Sequence, residues 1–413
     1  MGQCGDVPDA DLTNRLEASL GAYRRHQLAA GALFWLPTTF LFLVEQHGLT
    51  RALWLQAVYY VAVVVLEVPS GWFSDRVSRV LTLRTTAIAW MIAHAVFALS
   101  PSLTGVIVAQ MLLAVGYAFT SGTDVTLHYD TLESLGRRNE FDRMESAARR
   151  GLLLVTATTA VAGGALGFYD LRLPFVASLI AAAVQLVFAT QLVEPPRTPS
   201  TKSFAVDIAR SAGLLKRPTM RWLTLYIVAQ VTLVHLVAEL AGPHLTAVLD
   251  EPLTEPARAA LAIGLLSAAA ALGGAISLSY LPDIARRVGM VPTMIAASVV
   301  PAATVVAMSF TESWWILPLF AARGIPGATT AVLAPNIVGA HVSRDQRATV
   351  LSLTSLLGRL VYGITLVTFA HLTGGVLMDS LDAAAWVAIA MWAAVAAAAL
   401  LWRVGPLRIS GED

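Results

Sequence analysis

Long apolar runs follow one another along almost the whole chain, and short polar connections separate them. Each run is about 20 residues long, which is the length that an α-helix needs to cross a hydrocarbon core of about 30 Å. The runs lack the two-residue alternation of barrel strands, so the pattern predicts transmembrane helices. We predict twelve, at residues 26–45, 51–73, 80–100, 103–126, 147–170, 172–193, 221–245, 257–281, 289–310, 313–340, 348–374 and 378–403.

The composition supports a membrane protein. Charged residues make up 13% of the 413 positions, about half of the roughly 25% found in soluble domains. The sequence contains no Walker A loop, no dinucleotide-binding glycine motif and no H-E-x-x-H pair, so we expect neither an enzyme nor a bound cofactor. Cys4 is the only cysteine, which excludes a disulfide framework and a cysteine metal site, and we predict no metal.

Basic residues are unevenly distributed among the connections. The connections after odd-numbered runs hold only Arg51, Arg172 and Arg258, whereas the termini and the other connections hold most of the remaining arginines and lysines. The positive-inside rule therefore places both termini in the cytoplasm, which agrees with an even number of spans.

A polar interval near the middle of the chain, at 194–220, divides the runs into two sets of six. Its prolines and basic residues predict a cytoplasmic linker between an N-terminal half, 1–193, and a C-terminal half, 221–413. The connection GWFSDRVSRV after the second run has a counterpart in LPDIARRVGM after the eighth, which is a weak internal repeat. Repeated halves are typical of transporters, whose substrate site lies between the repeats near the bilayer midplane.

The connection after the second run resembles the signature G-x-L-A-D-R-x-G-R-K of the major facilitator superfamily. The match lies at Gly71, Asp75, Arg76 and Arg79. Further resemblances to a bacterial subgroup are Glu67-x-Pro69, SGTDVTLHYDTL at 121–132 and RATVLSLTSLLGRL at 347–360. The resemblance implies an all-α integral membrane fold with twelve transmembrane helices in two pseudo-symmetric halves, in a bacterial inner membrane.

The resemblance also implies a cytoplasmic gate. In that family the signature aspartate forms a charge relay with a signature arginine and an acid on helix 4, and it stabilises the outward-open state. Carried over, the relay consists of Asp75, Arg76 and Asp124. Candidate gating residues are therefore Gly71, where we expect close backbone approach, together with Asp75, Arg76, Arg79, Asp124 and Arg359.

Ionisable residues inside apolar runs mark candidate sites, because charge is expensive in a bilayer. Glu239 and His235 are four residues apart on one face of the seventh run, so they are candidates for proton coupling; a solvated position of Glu239 at the outer helix end is the alternative. Glu67 is a further candidate, although it suits a structural role near a helix end.

Substrate-binding candidates include one arginine and several aromatic residues. Arg323 lies deep in the tenth run, where it could bind an anionic group or neutralise Glu239. Arg359 in the eleventh run has the same alternatives. The aromatic candidates, which helix packing or an interfacial belt explains equally well, are Trp35, Tyr59, Tyr117 and Tyr226.

We therefore predict a secondary transporter that exports a small amphipathic drug or metabolite by alternating access, with the proton gradient as its energy source. A proton-coupled importer of a nutrient or siderophore-like solute is the first alternative. A transport-inactive membrane sensor or partner subunit is the second. The expected partners are a small-molecule substrate, protons and membrane lipids, with no nucleic acid, and the expected state is a monomer.

Overall fold

The structure is a computed structural model that describes residues 10–100, 102–196, 211–343, 346–405 and 407. Cys4 and residues 197–210 of the predicted linker lie outside these ranges. The described residues form helices and no strands. Single-turn 3₁₀ helices occur at Arg138–Glu140 and Trp314–Ile316. The α-helices are α1 Ala10–Ala30, α2 Thr39–Arg76, α3 Arg79–Leu99, α4 Leu103–Thr120, α5 Thr123–Ser134, α6 Phe141–Tyr169, α7 Leu173–Thr190, α8 Pro218–Val248, α9 Ala257–Val288, α10 Met290–Phe310, α11 Leu317–Ala322, α12 Gly324–His341, α13 Arg347–Leu372 and α14 Leu377–Leu401.

Within the described ranges, 11 helical segments are long and apolar enough to cross a membrane. The prediction of twelve is close to this number, and the difference lies in the first predicted span, 26–45. This span is discontinuous, because α1 ends at Ala30 and residues 31–38 form turns. Pro37 explains the break, since proline removes an N–H donor and disfavours helical backbone in the residue before it.

The expected connection between the first two spans is a kink. α2 continues from Thr39 to Arg76 through Gly48, whose φ of 76° and ψ of 162° are not helical. Glycine adopts this backbone conformation readily because it has no Cβ. The helix thus changes direction at Gly48 without a loop.

Contacts between residues divide the chain into two compact units. Unit 1 comprises Met1–Phe34, Ala62–Thr159 and Phe175–Thr201, and unit 2 comprises Trp35–Val61, Ala160–Pro174 and Lys202–Asp413. The predicted sequential halves, 1–193 and 221–413, stay a prediction.

Each unit has its own apolar core. In unit 1, Tyr23 of α1 packs with Leu83 of α3 and Leu127 of α5. In unit 2, Trp222 and Tyr226 of α8 belong to a larger cluster that also includes buried residues of α9, α10, α12, α13 and α14. Burial of apolar surface of this kind stabilises the helix packing within each unit.

Small residues let helices approach closely in unit 2. A Cβ on Gly164 of α6 would lie 2.8 Å from the carbonyl oxygen of Ala260, and one on Gly264 of α9 would lie 2.6 Å from that of Ala160. Membrane helices commonly associate through such small-residue contacts.

Candidate functional site

A buried carboxylate lies on α8 in unit 2. Glu239 is 8% exposed, and its Oε1 accepts a hydrogen bond at 2.5 Å from Nε2 of Gln56 on α2. Arg323 attracts the carboxylate electrostatically. This burial excludes the solvated position that was the alternative for Glu239. The carboxylate is therefore an ionisable group held inside a membrane-spanning helix, where such groups are generally functional.

Three rings pack against one another in the same unit. The ring centroids of Tyr60 and Tyr362 are 4.8 Å apart, and the imidazole of His235 lies 5.3 Å from each. Tyr362 is fully buried, and its hydroxyl has no hydrogen-bond partner among the described residues. Buried polar groups nearly always have a partner. The Tyr362 hydroxyl is therefore a buried donor that pairs with no described residue.

His235 does not hydrogen-bond to Glu239, although the two share a helix face. Its Nδ1 pairs with the carbonyl oxygen of Val231 at 2.7 Å. A carbonyl only accepts, so Nδ1 carries the proton and Nε2 of the neutral ring is the acceptor. His235 thus belongs to the aromatic group, with a second nitrogen left to act on a ligand.

Two partly buried arginines border this region. Arg323 lies at the break between α11 and α12, and its Nη2 donates a hydrogen bond to Oγ of Ser267 at 2.6 Å. Arg359 of α13 interacts electrostatically with His235. A carboxylate, two guanidinium groups, an imidazole and a free phenol together suit a solute that has both polar and apolar parts.

The aromatic substrate candidates separate in the structure. Tyr59 packs edge-on against Tyr60 with centroids 5.0 Å apart, so it adjoins the group of three rings. Tyr226 is a core residue, fully buried and stacked on Trp222. Trp35 lies in the non-helical segment 31–38, where its carbonyl oxygen accepts a hydrogen bond from Thr39. The fourth candidate, Tyr117, lies in unit 1 and is 40% exposed.

The signature connection forms an ion-pair cluster in unit 1, with a different acid from the one predicted. Arg79 pairs directly with Asp130 of α5 and, at 3.8 Å, with Asp75 one turn before it. The implied relay through Arg76 and Asp124 is not formed in this structure. Asp124 and Asp130 are six residues apart on α5, so their side chains point about 120° apart around the helix. Only Asp130 faces the signature arginine.

Glu194, just after α7, completes this cluster and closes the start of α3. Its carboxylate accepts hydrogen bonds from Ser78 Oγ at 2.6 Å and from the backbone N–H groups of Arg79 and Val80 at 3.1 and 3.0 Å. Ser78 Oγ also accepts a hydrogen bond from Leu81 N. A carboxylate at a helix N-terminus satisfies unpaired donors and favours the helix dipole.

Two further candidate residues, Gly71 and Glu67, lie on α2. Gly71 makes no close backbone approach, because a Cβ at this position would have no heavy atom within 4 Å. The residue lies inside α2, so the glycine is not needed for packing here. Glu67 accepts a hydrogen bond from Ser121 Oγ at 3.0 Å, which links α2 to the end of α4.

Sequence reasoning missed several residues of these sites, namely Gln56, Glu194 and Tyr362. Gln56 had a readable signal, because it is a polar residue inside the apolar run LWLQAVYYVAVVV. Glu194 lies just beyond a helix end, where most acids are solvated, so its partners could not be deduced. Among the described residues, no group of three histidine, cysteine or acidic side chains could hold a metal ion.

Comparisons with known proteins agree with this architecture. The family model of the Major Facilitator Superfamily matches residues 27–366. The fold is similar to that of the nucleoside transporter NupG, at 13% identity and a TM-score of 0.74, over 93% of this chain and 99% of that one. The POT family transporter PepTSo is similar at 12% identity and a TM-score of 0.68, over 95% and 99%.

A third solved structure is a bacterial homolog of the human lysosomal transporter Spinster, in an inward-facing and occupied conformation. It is 17% identical with a TM-score of 0.64, over 94% of this chain and 95% of that one. At these identities the likeness shows the fold alone. A comparison with curated proteins gave no match.

Proposed function

Because this chain belongs to the Major Facilitator Superfamily, we propose that it is a proton-coupled transporter that exports a small amphipathic solute, with Glu239 as the proton carrier. At the coarser level it is a multi-pass membrane protein and a secondary transporter, not an enzyme. The coupling ion, the solute and the direction are the proposed parts.

The observation that carries the proposal is the buried Glu239 carboxylate, which accepts a hydrogen bond from the neutral side-chain amide of Gln56. A negative charge in such a place is costly unless it is neutralised or paired. A proton neutralises it directly, and Arg323 can pair with it when the proton leaves. Two such states with different charge are the requirement for coupling proton release to a conformational change.

The solute class follows from the groups around the carboxylate. Tyr59, Tyr60 and Tyr362 supply aromatic faces, and the Tyr362 hydroxyl supplies an unused donor. Stacking and a few directional hydrogen bonds suit a flat or partly apolar molecule with polar substituents. Export is the direction that the sequence resemblance favours.

Import of a polar nutrient is a second candidate function, and the presence of an acidic and a basic side chain in one region favours it. A carboxylate and a guanidinium in one region, Glu239 and Arg323, would bind opposite ends of a zwitterionic solute. Two of the similar folds are named as a nucleoside transporter and a POT family transporter. The same residues serve both directions, so only a transport measurement separates them.

The proposed setting is a bacterial inner membrane with both termini in the cytoplasm. It is supported by the basic residues concentrated at the termini and in the even-numbered connections. A monomer is proposed as the working state, since one chain carries the whole Glu239 region. Basic connections of this kind also suit anionic lipid head groups.

The experiment uses purified protein in proteoliposomes that carry an internal pH-sensitive dye. A pH gradient is imposed in each direction, and drugs, nucleosides and dipeptides are added in turn. Wild type is compared with Glu239→Gln and with Glu312→Gln, whose acid is exposed in the connection after α10. We expect a solute-dependent proton flux in the wild type and in Glu312→Gln, and its loss in Glu239→Gln.

The direction is assigned from solute accumulation against the imposed gradient. Flux that is insensitive to Glu239→Gln would refute Glu239 as the proton carrier. Solute movement without any proton flux would refute proton coupling. If folded protein moves none of the solutes, the proposed substrate class is wrong and the sensor alternative gains support.

A further inference from the structure

A second group of buried ionisable side chains lies in unit 1 and takes no part in the Glu239 region. Gln27 of α1 donates from Nε2 to Asp124 Oδ2 at 2.7 Å and to the Tyr23 hydroxyl at 2.9 Å. The Tyr23 hydroxyl donates to Glu145 Oε2 at 3.1 Å, and His128 Nδ1 lies 2.7 Å from the same oxygen. Hydrogen bonds thus run continuously from Asp124 to His128 through α1, α5 and α6.

This string is shielded from solvent. The side chain of His128 is 2% exposed and that of Glu145 is 19% exposed, while Asp124 as a whole is 6% exposed. The His128 imidazole stacks on the Tyr23 ring with centroids 4.3 Å apart. Water therefore screens the two carboxylates poorly, and their charge must be balanced by neighbouring groups.

The neighbouring elements supply only part of that balance. Arg149 of α6 attracts both carboxylates. Apolar residues pack there from α3 and from the segment just after α7, including Leu83 and Leu192, and the buried His26 of α1 is hydrogen-bonded to Gln185. Arg79 of α3 is paired with Asp130. Arg149 is thus one permanent cation for two acids.

Tyr23 does not change this charge. Burial raises the pKa of its hydroxyl above the ordinary value, and the nearby Asp124 and Glu145 carboxylates raise it further. The hydroxyl therefore keeps its proton at any physiological pH and stays a donor to Glu145. Two carboxylates and one guanidinium leave one net negative charge, which a single additional proton removes.

We propose that Asp124, His128 and Glu145 form a site that binds one proton. When this site is protonated, it stabilises the packing of α1, α5 and α6. The proton comes from water and resides on the imidazole, so that His128 Nδ1–H donates to Glu145 as a charged pair. Release of the proton leaves an unbalanced negative charge among poorly solvated groups. The packing of the three helices then weakens, independently of Glu239 and of any solute.

The sign of the pH dependence follows from this charge count. The added proton balances the charge of the cluster in the folded protein, so its stabilisation is present at lower pH. It is lost as the pH rises through the range in which the site releases its proton. One proton corresponds to a tenfold change in the folding equilibrium constant per pH unit over that range.

The test follows thermal unfolding against pH for the full chain in lipid nanodiscs without solute. Glu145→Gln leaves Asp124 balanced by Arg149, so we expect the fall in midpoint with rising pH to flatten. Arg149→Gln leaves two unbalanced carboxylates that need two protons. The folding equilibrium constant should then fall more than tenfold per pH unit. The control Glu312→Gln alters an exposed acid outside the string and should retain the wild-type slope.

A second readout locates the proton. In protein with isotope-labelled histidine, the imidazole nitrogen signals missing from His128→Gln belong to His128. We expect a charged imidazole at neutral pH in the wild type and a neutral one in Glu145→Gln. Should Glu145→Gln fail to fold, Asp124→Asn removes the other carboxylate and makes the same prediction. A neutral His128 with unchanged slopes in Glu145→Gln or Asp124→Asn would overturn the proposal.

Discussion

Two connections, one in each unit, have similar places in the chain and similar helix caps, but the capping groups differ. In unit 1, α2 ends at Arg76 and α3 begins at Arg79, and the carboxylate of Glu194 caps α3. In unit 2, α9 ends at Val288 and α10 begins at Met290, whose N–H donates to the backbone carbonyl oxygen of Leu407 at 2.8 Å.

In each case, the cap comes from the chain just beyond a later helix, α7 in unit 1 and α14 in unit 2. Unit 1 uses a charged side chain, whereas unit 2 uses a backbone carbonyl. The ion pairs differ in the same sense. Arg79 is 12% exposed at its side chain and bound to Asp130, whereas Arg286 is 60% exposed and pairs with Asp283 three residues earlier. The architecture thus requires a cap at both places, whereas a charged one is specific to unit 1.

The largest expected effect is that of removing the buried cation. Arg79→Gln leaves Asp130 without its partner, and breaking a buried pair costs about 3–5 kcal/mol, which we reduce to about 2–3 kcal/mol for the partial exposure. Arg286→Gln should change the stability by less than about 0.5 kcal/mol, since exposed pairs contribute little. Unfolding of both variants in nanodiscs measures the contrast.

Equal losses in the two variants would contradict this comparison. A double variant, Arg79→Gln with Asp130→Asn, removes both charges. It should recover part of the stability lost in Arg79→Gln, because no uncompensated carboxylate remains. Failure to recover would mean that Arg79 acts through packing of its aliphatic stem.

A smaller effect is expected at the two caps. Glu194→Ala removes the acceptor for the first amides of α3 and should cost about 1–2 kcal/mol. Leu407→Ala keeps the carbonyl oxygen that caps α10. Amide hydrogen exchange should therefore speed up at Arg79 and Val80 in the first variant, and stay slow at Met290 in the second. Fast exchange at Met290 in Leu407→Ala would show that the Leu407 side chain, not its backbone, maintains the cap.

Some of this could be predicted from the sequence, because certain signals are local. The apolar runs predict the helices directly, and Glu239 is a charge inside such a run. The weak repeat between the two connections also indicated their equivalent places. Those inferences need only the spacing of residues within one element.

Other features depend on which helix ends meet, and local spacing contains no such information. Glu194 looks like a solvated acid at the start of a linker until α3 is placed beside it. The choice between Asp124 and Asp130 depends on the rotation of α5, since six residues turn a side chain to another face. The break after Ala30 was readable from Pro37, but an otherwise apolar run outweighed that single residue.

The last comparison concerns one glycine in each unit, and the two effects should differ in sign. Gly289 links α9 to α10 with φ 99° and ψ 155°, a conformation nearly restricted to glycine, so Gly289→Ala should destabilise by about 1–3 kcal/mol. Gly71 lies inside α2 with open space around it. Gly71→Ala should therefore stabilise by about 0.5–1 kcal/mol, because alanine loses less backbone entropy in a helix.

Measuring both the stability and the transport activity of Gly71→Ala tests whether this glycine is required in another conformation. Loss of stability in Gly71→Ala would mean that the open space seen beside the residue is filled in the folded protein. Intact stability with reduced transport would mean something different, namely that the signature glycine is required in a conformation other than this one. In that state another backbone would approach α2 where none lies now. The close backbone approach that the signature implies would then occur in another conformation of the transport cycle. Gly71 would be required in that conformation and not in the one described.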